Sequence, residues 1–132
     1  ERSKRGGYRG AMSVLEFSVK TAEVGENAFI VMVKGEADLH TVPELDRALH
    51  GVLGRGGTAT AVDLGEVTFI DSTALGVLLH HQRRFRGRGG DLVIVTADRR
   101  VLRTFEVTGL DRVFTIERRL ADGVAALLAS GR

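Results

Sequence analysis

The sequence predicts an α/β fold: a mixed, mostly parallel β-sheet with an antiparallel hairpin at its N-terminal edge and about four α-helices. Three observations predict it. Apolar runs of strand length, "AFIVMVKG" (28–35), "TATAVDL" (58–64) and "DLVIVTA" (91–97), read as buried strands. Segments of helical period lie between them, the pattern of parallel strands joined by crossover helices. The linker "GEN" (25–27) ties the first run to an upstream, partly alternating stretch and suits a tight hairpin.

Taken in order, "VLEFSVKTAEV" (14–24) is the first strand and 28–35 the second. "TVPELDRALHGVLGRG" (41–56) is a helix. Thr41 and Glu44 have capping-box spacing, Pro43 is tolerated in the first turn, and Leu45, Leu49 and Leu53 recur every four residues. Gly54 or Gly56 can end it. The strand at 58–64 follows. From Ser72 the period is helical, with Leu75, Leu78, Leu79, Gln82 and Phe85 on one face, until "GRGG" (87–90) stops it. After the strand at 91–97, Asp98 caps a helix that ends at Gly109 in a left-handed conformation, with Val101, Leu102 and Phe105 on its inner side. "RVFTIE" (112–117) is a short strand or extended piece. "LADGVAALLAS" (120–130) is an amphipathic helix with Leu120, Val124, Leu127 and Leu128 inward, weakened by Gly123 by roughly 0.5–1 kcal/mol relative to Ala.

The 132 residues suit one domain, taken as 13–130; residues 1–12 are set aside as a flexible basic tail or an expression remnant. With 43% apolar and 27% charged residues the composition is that of a soluble globular protein. The absence of cysteine excludes disulfides and thiolate metal sites and fits a cytoplasmic location. No apolar run approaches the roughly 20 residues that span a bilayer, and no secretory signal is visible. The basic character lies in the tail. Residues 1–11 are net +3 and the whole chain +2, so the remainder is net −1. A nucleic-acid binder carries its positive charge on the folded domain, so direct nucleic-acid binding is not expected.

"FIDSTALG" (69–76) stands where a buried strand hands over to a helix, at the carboxyl edge of the sheet where α/β proteins place their sites. One capping side chain suffices there, yet Asp71, Ser72 and Thr73 offer three. Two compatible readings stay open: a cap by Asp71 or Ser72, and a phosphate acceptor at Ser72 favoured by the free N–H groups and dipole of the helix.

Four stretches in order then resemble the STAS domain of bacterial anti-sigma factor antagonists, over about residues 13–130. "VKGEADLHT" is similar to the family's G-E-x-D-x-x-T segment, and "VDLGEVTFIDSTALG" to its strand followed by D-S-[ST]-[GA]-[LI]-G. "GGDLVIV" resembles the next strand, and "LRTFEVTGLDRVFTI" the later helix, glycine turn and final strand. The resemblance implies a STAS-like fold and a non-enzymatic switch without a cofactor of its own. The first hydroxyl after the aspartate, here Ser72, would be phosphorylated by a serine kinase that also sequesters a sigma factor. The unphosphorylated form would bind that kinase, which would supply ATP and Mg²⁺, and a phosphatase would reverse the modification. Asp38, Asp71 and Thr73 would neighbour the phosphosite. Most members with the motif carry Gly where this chain has Ala74, a departure that bears on partner choice. The alternative is a STAS scaffold or small-ligand module in which Ser72 is only a cap.

The partner surface is expected to include His40, Thr41 and Ala74, and the outer face of the helix at Thr73, Val77, His80 and Arg84. His80 and His81 lie roughly 12–14 Å along the helix from Ser72 at 1.5 Å per residue, too far to activate it, and read as solvated surface residues. The run "RRFRGR" (83–88) reads as a solvated face whose aliphatic stems cover Phe85. No glycine-rich phosphate loop, zinc ligand set or nucleotide fingerprint is present.

Overall fold

The computed structural model of the chain describes residues 16–130; the expected tail and the first residues of the predicted first strand lie outside them. Five strands form one sheet in the order β1-β2-β3-β4-β5: Ser18–Gly25, Ala28–Ala37, Ala59–Ile70, Leu92–Val95 and Thr115–Glu117. β1 and β2 are antiparallel through a turn with Asn27 at φ 59°, and every other neighbour pair is parallel. Four α-helices, α1 (Val42–Gly54), α2 (Ser72–Gly87), α3 (Arg99–Thr108) and α4 (Leu120–Ser130), and a 3₁₀ turn at Leu110–Arg112 complete the elements of the described residues; the turn takes up the start of the segment expected to be extended over 112–117. The predicted fold class is observed.

The strand order explains the layers. Each crossover steps in the same direction across the sheet, so crossovers of one hand place α1, α2 and α3 on one face. Side chains alternate accordingly. Phe29, Val31, Val33, Val62, Leu64, Leu92 and Ile94 join the large core beneath those helices. Ala28, Ile30, Ala59, Ala61 and Val93 face the other way, against Leu127 of α4. The small side chains on that second face let α4 lie close. Gly123 is part of the same fit, because a Cβ there would run into Cγ2 of Val95. Leu128, expected inward, is 45% exposed; Leu127 alone takes the fully buried position on that turn.

β3 is longer than the predicted 58–64. Its pairing with β4 ends at Asp63–Val95, while its pairing with β2 continues to Ala37–Ile70. The carboxyl ends of β2 and β3 therefore project beyond β4 as a two-stranded arm. Gly35, at φ 105°, sits at an irregularity of this arm, with Phe17 backbone 3.1 Å from where a Cβ would be. Only glycine takes both the backbone angle and the approach without strain.

The helix ends follow their side chains in part. The Asp98 carboxylate accepts the N–H groups of Arg100 and Val101 and pairs with the Arg100 guanidinium, and these bonds, that to Arg100 foremost, pull its pKa down to about 2. Gly109 ends α3 in the left-handed region, as predicted. The Thr41–Glu44 capping box does not form. Thr41 is already helical in its backbone (φ −98°, ψ −19°), whereas a capping side chain needs an extended one. Its hydroxyl instead donates to the Glu36 carbonyl at 2.7 Å and accepts from the Asp38 N–H at 2.9 Å.

His81 corrects the sequence reading outright. It is fully buried, with Nε2 2.7 Å from Oδ1 of Asp46 on α1. Its position, three residues after Leu78 and four before Phe85, places it on the inner face. Burial pushes its pKa down, against the pull of the Asp46 carboxylate. The arginines of 83–88 are also more engaged than a solvated face implies. Arg88 donates to the carbonyls of Leu53 and Gly57, Arg86 pairs with Asp91, and Phe85 is fully buried.

Candidate functional site

The projecting arm delivers two acidic residues side by side. Ala37 and Ile70 are register partners, so Asp38 and Asp71 follow them at adjacent strand ends, and the Asp71 N–H donates to the Ala37 carbonyl at 3.1 Å. Asp38 closes its own loop: Oδ1 accepts from the N–H groups of His40 (2.9 Å) and Thr41 (3.1 Å), and its carbonyl accepts from Val42 at 2.8 Å to open α1.

Asp71 joins the two segments. Oδ1 accepts the Ala74 N–H at 3.0 Å and caps α2. Oδ2 accepts the Leu39 N–H at 3.1 Å and holds the loop after β2 against the start of α2. The first N–H groups of a helix have no intrahelical partner, and the Asp71 carboxylate takes only that of Ala74. Those of Ser72 and Thr73 stay outside the helical ladder, pointing toward the end of the helix where negative charge is favoured.

Asp71 thus does the capping, and the Ser72 side chain is exposed at the first helical position, with exposed Thr73 after it. Two large apolar side chains are exposed on the same segments: Leu39 at 63%, its backbone held on Asp71, and Phe69 at 48%, three residues before Ser72. Phe69 is exposed because β4 stops short of it. Sequence reasoning passed over both. Each lies in a motif already singled out, but exposure at a strand end depends on where the neighbouring strand stops.

The other predicted partner residues divide. His40 is exposed and Thr41 half-buried in the loop. Along α2, His80 is exposed, while Val77 is half-buried and packs against the core. Arg84 is half-buried and its guanidinium lies 3.0 Å from Nδ1 of His50. Ala74, expected at the partner surface, is instead fully buried, because it is three residues before Val77 and four before Leu78 on the inward side of the first turn. Any effect of alanine there passes through helix packing.

Comparison with known proteins shows the family. The chain is 32% identical over 103 residues to an anti-sigma-B factor antagonist of Listeria monocytogenes, covering 78% of this chain and 90% of that protein. It is 31% identical over 99 residues to the anti-sigma-B factor antagonist of Bacillus subtilis, covering 75% and 90%. The crystal structure of an anti-sigma factor antagonist from Mycobacterium paratuberculosis superimposes with a TM-score of 0.77 at 27% identity, covering 85% of this chain and 94% of that one. The STAS domain family model matches residues 19–123, which takes in β2 to β5, all but the first residue of β1, and the whole Asp38–Asp71 arm. The chain belongs to the STAS domain family.

Proposed function

We propose that this protein is an anti-sigma factor antagonist, a non-enzymatic cytoplasmic regulator that binds an anti-sigma factor and is switched by phosphorylation of Ser72. The observation that carries the reading is the division of labour at the start of α2. Asp71 caps the helix through the Ala74 N–H, which leaves the Ser72 side chain exposed beside it. The names of the relatives point to an anti-sigma factor as partner. The partner is then a serine kinase with its own ATP and Mg²⁺, and a phosphatase resets the switch.

Binding begins on the unphosphorylated surface, where Leu39 and Phe69 offer apolar anchors and His40, Thr73 and His80 a polar rim. Phosphorylation adds roughly −1.5 to −2 charge at pH 7, next to Asp71 and the Asp38 loop. A kinase pocket holds anionic nucleotide, so like charge opposes redocking of the phosphorylated form. The experiment is incubation with candidate serine-kinase anti-sigma factors and ATP, with the modified residue mapped by mass spectrometry. Ser72→Ala is expected to abolish labelling and Thr73→Ala to leave most of it. Label persisting in Ser72→Ala would overturn the assignment.

A further inference from the structure

The contact between α1 and α2 carries a second cluster that the switch does not use. Asp46 and His50 stand one turn apart on α1, and His81 meets them from α2. The Asp46 carboxylate reaches both rings, which themselves meet edge to face with centroids 5.0 Å apart: Oδ1 is 2.7 Å from Nε2 of His81 and Oδ2 4.0 Å from Nε2 of His50. One donor atom from each of the three residues lies within 4.8 Å of the others. We propose that Asp46, His50 and His81 form a binding site for a divalent first-row transition ion of the Zn²⁺ type.

Two imidazoles and one carboxylate suit such an ion, whereas Mg²⁺ and Ca²⁺ favour oxygen ligands alone. The cluster is closed on one side and open on the other: His81 is fully buried, while the side chains of Asp46 and His50 are 40% and 53% exposed. Three protein ligands with one position facing water is the arrangement of non-structural zinc sites. Bonds of about 2.0–2.2 Å place tetrahedral donors about 3.4 Å apart. The Asp46–His81 contact must therefore open and the Asp46–His50 contact close, movements that the two exposed side chains on α1 can supply. Nδ1 of His81 is buried with no hydrogen-bond partner, a cost that an apolar residue would not incur; coordination through Nε2 moves the ring proton, now donated to Asp46, onto that nitrogen.

Arg84 competes with the ion. A guanidinium only donates, so Nδ1 of His50, 3.0 Å from it, accepts, and the neutral ring carries its proton on Nε2, the nitrogen toward Asp46. Coordination through Nε2 requires that proton to move to Nδ1 and Arg84 to swing away. Removing the guanidinium therefore favours binding.

The test is titration of the full chain with ZnCl₂ by calorimetry and with CoCl₂ by visible absorption. Asp46→Asn keeps an acceptor for His81, His50→Ala changes an exposed side chain, and circular dichroism verifies that each variant is folded. One equivalent of Zn²⁺ should bind, with the visible bands of protein-coordinated Co²⁺. Both variants should weaken Zn²⁺ by at least about tenfold, since loss of even an outer-shell partner costs that much, and Arg84→Gln should tighten it. Binding that does not saturate, or an affinity unchanged in both His50→Ala and Asp46→Asn, would overturn the site.

Discussion

Asp71 uses its two carboxylate oxygens for two different tasks, one within α2 and one across to the loop after β2. That accounts for the surplus of polar side chains in "FIDSTALG". Asp71 is structural, and this frees the hydroxyl next to it. Replacing Asp71 by Ala is expected to cost about 0.5–2 kcal/mol through the lost cap, measured by urea unfolding. It should also speed amide exchange at Leu39, whose N–H loses its acceptor. Asp71→Asn keeps an oxygen for one of the two bonds and should fall between. A stability change near zero in Asp71→Ala would mean that water replaces the cap and that the two segments are not joined through this residue.

Helix propensity and packing make opposite predictions for α4. By propensity, Gly123→Ala stabilises a helix by roughly 0.5–1 kcal/mol. In the fold the new methyl meets Cγ2 of Val95, a buried β-branched side chain in a central strand with little freedom to turn away. Overpacking of this kind typically costs about 1–3 kcal/mol, so the substitution should lower the unfolding midpoint in urea. A rise in the midpoint would show that α4 can lift from the sheet without loss. α2 makes a related point. Its inner face is wider than the leucine spacing implies, taking in Ala74 and His81. Val77, which touches the core, is correspondingly less suited than His80 or Thr73 to report on partner binding.

At the scale of the molecule, the proposed switch is local. β2 and β3 pair along their length, Leu64, Val67 and Ile70 are buried, and α2 starts from this support. A phosphate at the helix N-terminus stabilises the helix by about 0.3–1 kcal/mol, so phosphorylation supplies no force to refold the domain. Amide NMR spectra of the free and phosphorylated protein should differ around residues 38–41 and 69–77, while affinity for the anti-sigma factor falls. Shifts spread through the sheet and all helices would show a conformational mechanism instead. Among the described residues no helix is long and apolar enough to cross a membrane, and the family match covers all of the sheet but Ser18.

The sequence by itself determined the element order, the hairpin edge, the cap at Asp98, the left-handed turn at Gly109 and the Asp–Ser junction, while leaving the cap of α2 open between Asp71 and Ser72. These depend on neighbours within a few residues, where periodicity and capping chemistry act directly. Other features depend on residues far apart in the chain. His81 is buried because α1 presents Asp46 to it, 35 positions earlier in the sequence. The Asp71 bond to Leu39 spans 32 positions. Phe69 is exposed because β4 ends at Val95, and Gly123 is required by the same strand. Only the tertiary structure decided these, because burial and close approach belong to the partner surface as much as to the residue. A helical period gives the direction of a side chain but not what it meets.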